Sequence, residues 1–188
     1  MMDEWNRERA LALLRRQVTS DVLIKHCLAS EAIMRAVAAH LGEDPERWGL
    51  AGLLHDLDFE ETKDLPGEHT NKAAVILAGE GLAEDIVLAI REHNADGLGI
   101  ACQSRMGIAL TAAESVTGLI VASALVLPDK RLASVKASSV RKRMKEKAFA
   151  RNVSRERIVE CEKIGLPLDE FLALSVEAMQ GISSDLGL

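Results

Sequence analysis

The sequence predicts an all-α protein from its composition and its pattern of polar residues. Hydrophobic residues make up 48% of the 188 residues, but aromatic residues make up only 3% and there is no Tyr. Ala, Leu, Ile and Val must therefore form the core, and Glu, Lys and Arg stand between them, which favours helices. No segment shows the alternation of β-branched residues that is typical of a strand. The length suits one domain with a sizeable buried core.

Capping residues and helix breakers divide the chain into helical segments. Ser20 and Asp21 are suited to cap the second helix. Pro128 ends the longest apolar segment, and Pro167 opens the last helix. Residues 94–104, which contain two glycines, are predicted to form a loop. The predicted helices cover residues 5–16, 21–41, 46–57, 68–79, 84–93, 106–127, 133–147, 154–164 and 168–179.

The sequence predicts a cytoplasmic protein without a membrane partner. No apolar run is expected to reach the roughly 18 residues of a membrane span. The first residues are acidic and polar, unlike a signal peptide. Cys27, Cys102 and Cys161 are scattered, and their odd number argues against a disulfide framework. A reducing compartment follows from this cysteine usage.

Basic residues are concentrated in residues 130–151, although the net charge of the chain is -6. A local basic segment on an acidic protein indicates an anionic partner, and the alternative is a solvated helix face. Lys136, Arg143 and Lys147 are spaced by seven and four residues, so one helical face could present them to a substrate phosphate. Because the segment lacks interleaved aromatic residues, a small anionic substrate is favoured over nucleic acid.

The adjacent residues His55 and Asp56 end an apolar stretch and are the strongest indication of function. Their side chains lie roughly 100° apart around a helix, so they share a metal ion only if other elements complete its shell. Four further donors are available: His26, His69, His93 and Glu114. Imidazole and carboxylate together suit Mn, Fe, Co, Ni or Zn. A metal held with open positions activates water, which indicates hydrolysis. Taken singly, each histidine is also typical of a surface or hydrogen-bonded residue.

The order of these residues resembles the HD-domain superfamily of metal-dependent phosphohydrolases, in its small bacterial HD or HDIG-type branch. The stretch LAGLLHDLD at residues 50–58 looks like the core His-Asp helix. AIREHN at 89–94 looks like the later histidine segment, and TAAESVTGLIVA at 111–122 looks like the final acid helix. The resemblance implies a single helical domain over residues 1–188, with a metal-binding core at about 20–127 and C-terminal helices at about 128–188.

The resemblance also implies roles for individual residues. His26, His55, Asp56 and Glu114 match the ligands of a mononuclear site. His69 and His93 match the extra histidines of branches that hold two ions, with Asp56 as the bridge. One or two divalent ions are therefore expected. Asp58 could orient a ligand histidine or a water molecule as a second catalytic carboxylate. Asn94 could contact substrate or cap its helix.

Glu114 departs from the family pattern, which has Asp at this position. Its extra methylene leaves two possibilities open, ligation of the metal or contact with water instead. The principal hypothesis is a phosphohydrolase acting on a nucleotide or another small phosphoester. Similarity to HD-class diadenosine tetraphosphate hydrolases makes a dinucleoside polyphosphate a candidate substrate. The alternatives are a metal-bearing nucleotide sensor with little turnover, and a nucleic-acid-associated protein that uses residues 130–151.

Overall fold

The all-α prediction is confirmed by the computed structural model, which describes residues 5–188 and has no strand in that range. Two short 3₁₀ helices, Leu132–Ser134 and Glu160–Ile164, accompany the α-helices. The α-helices of the described residues are α1 (Arg7–Gln17), α2 (Asp21–Leu41), α3 (Pro45–Leu54), α4 (Phe59–Thr62), α5 (Asn71–Gly79), α6 (Glu84–His93), α7 (Ala95–Leu98), α8 (Arg105–Leu125), α9 (Ala137–Arg143), α10 (Arg155–Val159), α11 (Leu168–Gly181) and α12 (Ser183–Leu186).

Helices α2 and α8, each 21 residues long, pack against one another at the centre of the structure. Helix α3 lies along α2, and α6 packs against both α8 and α3. The C-terminal part closes the other side, with α11 on α2 and α10 on α8. Small and aliphatic side chains fill the space between these helices, as the low aromatic content predicted. Helices α3 and α6 therefore border the two central helices, and α5 packs against α6.

A glycine allows α3 to approach the backbone of α2. A Cβ atom at Gly52 would lie 2.7 Å from the carbonyl oxygen of Ser30 and 2.8 Å from the backbone of Glu31. Helix α2 therefore leaves no room for a side chain at this position. Glu31 is itself buried and pairs with Arg7 and Arg35 at 2.7 and 3.0 Å. This contact fixes the end of α3, from which His55 and Asp56 emerge.

The segments around the His-Asp pair differ from their predicted boundaries. Helix α3 ends at Leu54 and not at residue 57, because residues 55–58 form tight turns. The acidic stretch that follows contains α4, whose Glu60 accepts hydrogen bonds from the backbone N–H groups of Thr19 and Ser20. Helix α5 begins at Asn71 and not near residue 68. Thr70 has a φ of 71°, a left-handed conformation that a helix does not contain.

The basic segment is less helical than predicted. Helix α9 ends at Arg143, and residues 144–154 form turns before α10. The guanidinium of Arg155 donates hydrogen bonds to the carbonyl groups of Ala150 and Val153, at 2.8 and 2.7 Å, and to that of Phe149. Since one side chain satisfies several carbonyls, the turn does not need helical hydrogen bonds. The predicted helix at 154–164 is confirmed as α10 and the 3₁₀ helix that follows it.

Helix α8 corrects the expectation that no segment is long and apolar enough to span a membrane. By length and composition it meets that condition. In the structure, 67% of its most apolar window is buried against the surrounding helices. A helix surrounded by other helices is apolar on most of its faces, which explains its composition.

Candidate metal centre

Four histidines and one aspartate converge from separate elements of the fold. His26 projects from α2, and His55 and Asp56 follow the end of α3. His69 lies in the turn before α5, and His93 is the last residue of α6. His26 is half-buried and the others are buried. The structure thus brings together residues that are up to 67 positions apart in the sequence.

Asp56 lies between two pairs of imidazole rings. The Nε2 atoms of His26 and His55 are 3.1 Å apart, and the Asp56 Oδ2 atom lies 3.7 and 3.5 Å from them. The Nε2 atoms of His69 and His93 are 3.3 Å apart, and Asp56 Oδ1 lies 3.3 and 3.6 Å from them. Each set of three donor atoms lies within 4.8 Å. The arrangement is that of two neighbouring three-donor groups that share one carboxylate.

Backbone carbonyls orient two of the rings. His55 Nδ1–H donates to the carbonyl of Gly52 at 2.8 Å, and His93 Nδ1–H donates to that of Ile90 at 2.6 Å. Both rings lie at the C-terminal end of a helix, where carbonyl groups lack helical partners. These hydrogen bonds leave Nε2 of each neutral ring with its lone pair toward Asp56.

Side chains orient the other two rings. His26 Nδ1–H donates to Thr117 Oγ1 at 3.0 Å, and the Thr117 hydroxyl donates to the carbonyl of Glu114. His69 Nδ1–H donates to Asp58 Oδ1 at 2.8 Å. In all four rings the outward nitrogen is therefore the donor, and the inward nitrogen is available as a metal ligand.

Asp58 positions His69 and the chain beside it. Its buried carboxylate also accepts hydrogen bonds from the N–H groups of Thr70 and Ala73, at 3.2 and 2.8 Å. Burial acts to raise the pKa of Asp58, but these hydrogen bonds outweigh it and hold the pKa below its usual range. The carboxylate therefore fixes the turn between α4 and α5 in the geometry that points His69 inward.

The protonation of the cluster reflects its burial and charge. Burial lowers the pKa of His55 to about 3, so its ring is neutral at neutral pH. Burial acts in the same direction on His69, but hydrogen bonds to Asp56 and Asp58 outweigh it and raise the pKa of His69 to about 9. Burial opposes ionisation of Asp56, yet the surrounding histidines hold its pKa well below the usual range. The metal-free centre therefore holds a neutral His55, a protonated His69 and an ionised Asp56, and a metal ion would take the place of the proton on His69.

This donor set fits divalent transition metals. Two ring nitrogens bound to one ion at about 2.1 Å would lie roughly 2.9–3.4 Å apart at tetrahedral to octahedral angles. The observed separations of 3.1 and 3.3 Å fall in that range. Facing lone pairs at such distances repel one another unless a proton or a metal ion lies between them. The residues could hold one ion in each group, with Asp56 common to both.

Glu114, a predicted metal ligand, lies beside the centre and pairs with a cation. Its carboxylate belongs to neither donor group of the described residues. It accepts a hydrogen bond from Ser115 Oγ at 2.7 Å and lies 3.4 Å from Nη1 of Arg157. The carboxylate therefore pairs with an arginine beside the centre, and it lines the same cavity as His26.

An open cavity of about 930 Å³ leads to the centre. Its wall includes the cations Lys63 and Arg157 and the exposed apolar residues Val22 and Phe59. The volume lies within the range of small-molecule sites, which is roughly 300–1,000 Å³. Asn94 also lines it, and its amide donates to the carbonyls of Pro66 and His69. Asn94 thus holds the turn that carries His69.

The basic residues predicted to bind substrate lie elsewhere. Lys136, Arg143 and Lys147 do not line the cavity. Because α9 begins at residue 137 and ends at Arg143, they also do not share the predicted helical face. The Arg143 guanidinium lies 3.9 Å from the ring centroid of Phe149 and pairs with Glu146. A cation that does stand beside the centre is Arg157, which lies in the predicted helix at residues 154–164.

Sequence reasoning missed Thr117 and Arg157 as residues of the site. Thr117 lies one helical turn beyond Glu114, so its spacing was a usable signal for a residue on the same face. Arg157 had no such signal, since its proximity depends on how α10 packs on α8.

These features define a helical protein with a histidine and carboxylate centre suited to two divalent ions. The family model described as HD domain matches residues 23–125, more than half of the chain. The chain therefore belongs to the HD-domain superfamily of metal-dependent phosphohydrolases.

The curated relatives include Ribonuclease Y of Oleidesulfovibrio alaskensis and Ribonuclease Y of Nitratidesulfovibrio vulgaris. Each is 30% identical to this chain over 99 residues, which is 53% of this chain and 18% of the relative. The matched region thus spans less than a fifth of the length of these relatives. No solved structure matches the chain.

Proposed function

We propose that this protein is a divalent-metal-dependent phosphohydrolase that acts on a nucleotide or another small phosphoester. The observation that carries the proposal is the position of Asp56 between two imidazole pairs, each with its donor atoms within 4.8 Å. Membership of the HD-domain superfamily supports the reaction class. The cavity volume of about 930 Å³ supports a small substrate over a polymer.

Different residues of the site would have different roles in such a reaction. Divalent ions held there would polarise a phosphoryl oxygen and lower the pKa of water. His26, His55, His69 and His93 hold their rings in fixed orientations because each outward nitrogen already has a partner. The cations of the cavity wall would stabilise negative charge on phosphate oxygens. Phe59 and Val22 offer an apolar surface for the rest of the substrate.

Two other functions have support from single observations. The similarity to Ribonuclease Y favours an RNA phosphodiester as an alternative substrate. The position of Glu114 outside both donor groups favours a metal-bearing nucleotide sensor with little turnover. The sensor would bind nucleotides at equilibrium without hydrolysing them, whereas the proposed enzyme turns them over.

The first experiment is metal analysis of untagged protein purified without chelator, followed by a hydrolysis screen with the metal that is found. We expect two transition-metal equivalents per chain and steady hydrolysis of a phosphomonoester, nucleotide or dinucleoside polyphosphate. Faster cleavage of an RNA oligonucleotide would instead support the ribonuclease alternative. Binding without turnover across Mn, Fe, Co, Ni and Zn would support the sensor. Full metal content and full activity in both His55→Ala and Asp56→Ala proteins would overturn the proposal.

A further inference from the structure

Arg157 connects the C-terminal helices to the metal centre. It lies outside the matched family region of residues 23–125 and projects from α10. One of its Nη atoms donates to the backbone carbonyl of His93, and the other lies 3.4 Å from Glu114 Oε1. The guanidinium therefore contacts α6 through His93, and it also contacts Glu114, which occupies the position of the last ligand in the family pattern.

The local fold holds Arg157 in this place. Ser154 caps α10 through a hydrogen bond from the N–H of Arg157 to its hydroxyl. Arg155 organises the preceding turn through the carbonyls of Ala150 and Val153. Helix α10 then packs on α8. The backbone at residue 157 is thus fixed by a cap, a turn and a helix contact, and the side chain reaches over α8 toward α6.

The guanidinium retains capacity for another partner. It has five N–H donors, and its distance of 3.4 Å from Glu114 exceeds the roughly 2.7–2.9 Å of a strong charge-assisted hydrogen bond. The side chain is 31% exposed. It lines the main cavity and also a smaller adjoining one of about 260 Å³, so it faces open space on two sides. A planar guanidinium with free donors matches the geometry of a phosphate group.

From these contacts we infer that Arg157 binds a phosphate group of the substrate beside the metal centre, and that this phosphate replaces Glu114 as its partner. The inference rests on the proposed function and names a residue that sets its specificity. Glu114 and the phosphate are both anions and compete for the same guanidinium. Removing the charge of Glu114 therefore strengthens phosphate binding, while removing the charge of Arg157 weakens it.

The test is calorimetric titration of the metal-loaded protein with inorganic phosphate. Arg157→Gln should weaken phosphate binding by at least about tenfold, which corresponds to one hydrogen bond between charged groups. Glu114→Gln should strengthen phosphate binding several-fold. The phosphate affinity of Arg157→Lys should fall between those of Arg157→Gln and the wild type, because lysine keeps the positive charge but lacks the paired N–H donors of a guanidinium. Arg151→Gln is the matched control, since Arg151 is exposed in the same segment and lines neither cavity.

Metal content and thermal unfolding are measured on every variant. Unchanged phosphate affinity in Arg157→Gln, or a loss that parallels loss of metal, overturns the inference. So does weaker phosphate binding in Glu114→Gln. If Arg157→Gln does not fold, Arg157→Lys and Glu114→Gln still decide the question. Phosphate binding is measured without turnover. A failed hydrolysis screen would therefore count against the proposed function, while the effect of each variant on phosphate affinity could still be interpreted.

Discussion

The Nδ1 atom of His69 lies 2.8 Å from Oδ1 of Asp58, on the side of the ring away from Asp56. Asp58 is fully covered by its surroundings, whereas the inward nitrogen of His69 faces another histidine. The two residues are eleven positions apart and are joined by α4 and a turn, and the left-handed Thr70 follows His69 directly. One carboxylate thus determines both the ring orientation and the turn geometry of a candidate ligand.

Asp58→Asn should weaken metal binding in the group of His69 and His93 without affecting the group of His26 and His55. Loss of an outer partner of a ligand histidine typically lowers metal affinity about 10–100-fold. Chelator competition followed by metal analysis measures this, and two distinguishable affinities should appear. Asp185→Asn is a control on an exposed carboxylate. Equal weakening in both groups would contradict the independent orientation of His69.

Asp56→Ala should remove both ions, whereas His69→Gln should remove only one. The reason is that the two Asp56 oxygens lie in different donor groups, while His69 belongs to one. Metal equivalents per chain, measured after gel filtration, test this difference. His40→Gln, a change of a histidine that pairs with Glu170 outside the centre, should leave the count unchanged. A single ion retained in Asp56→Ala would show that Asp56 is not shared.

Glu114→Asp should raise metal affinity in the group of His26 and His55 by about tenfold, the gain typical of one added charged contact. The shorter side chain cannot keep both its hydrogen bond from Ser115 and its pair with Arg157, so the carboxylate is free to turn to the histidines. Chelator competition on the two proteins measures the change. Identical affinities would mean that position 114 takes no part in coordination.

The metal-free protein should be most stable near pH 6.5. The pKa of His69 is raised from 6.5 to about 9, so its contribution is complete below about 6.5 and is lost as the pH rises toward 9. The pKa of His55 is lowered to about 3, so its contribution is present above about 6.5 and is lost as the pH falls. Urea unfolding after chelation measures both effects.

His69→Gln separates the two limbs of this pH dependence. It should abolish the loss of stability between about pH 6.5 and 9 and leave the acidic loss in place. Bound metal should also flatten the alkaline limb, because the ion takes the place of the proton on His69. An alkaline loss of the same size in His69→Gln would assign it to another group.

Gly52→Ala should destabilise the protein by about 1–3 kcal/mol, the usual cost of overpacking. The added Cβ would lie 2.7 Å from the carbonyl oxygen of Ser30, so α3 must move away from α2. Gly79→Ala is the matched control, since nothing lies within 4 Å of its Cβ position. It should be neutral or stabilising by up to about 1 kcal/mol. Denaturant titration compares the two variants.

The candidate ligands show which parts of the site a sequence pattern can predict. The residue order around His55 and Asp56 was sufficient to indicate the family and five donors that the structure assembles, because the order of these residues along the chain is a property of the sequence itself. Glu114 occupies the position of the last ligand in the family order, but its carboxylate belongs to neither donor group. Its distance to the histidines depends on one methylene and on a competing cation, neither of which a pattern records.

Helix periodicity, caps and breakers by themselves determined that this chain is helical, since they are local properties of neighbouring residues. Only the tertiary structure decided that Glu114 lies outside both donor groups and that Arg157, not the cations around Lys136, stands beside the centre. These contacts join residues from distant helices. Their distances depend on packing, such as the approach of α3 to α2 at Gly52, which acts across the fold and not along the chain.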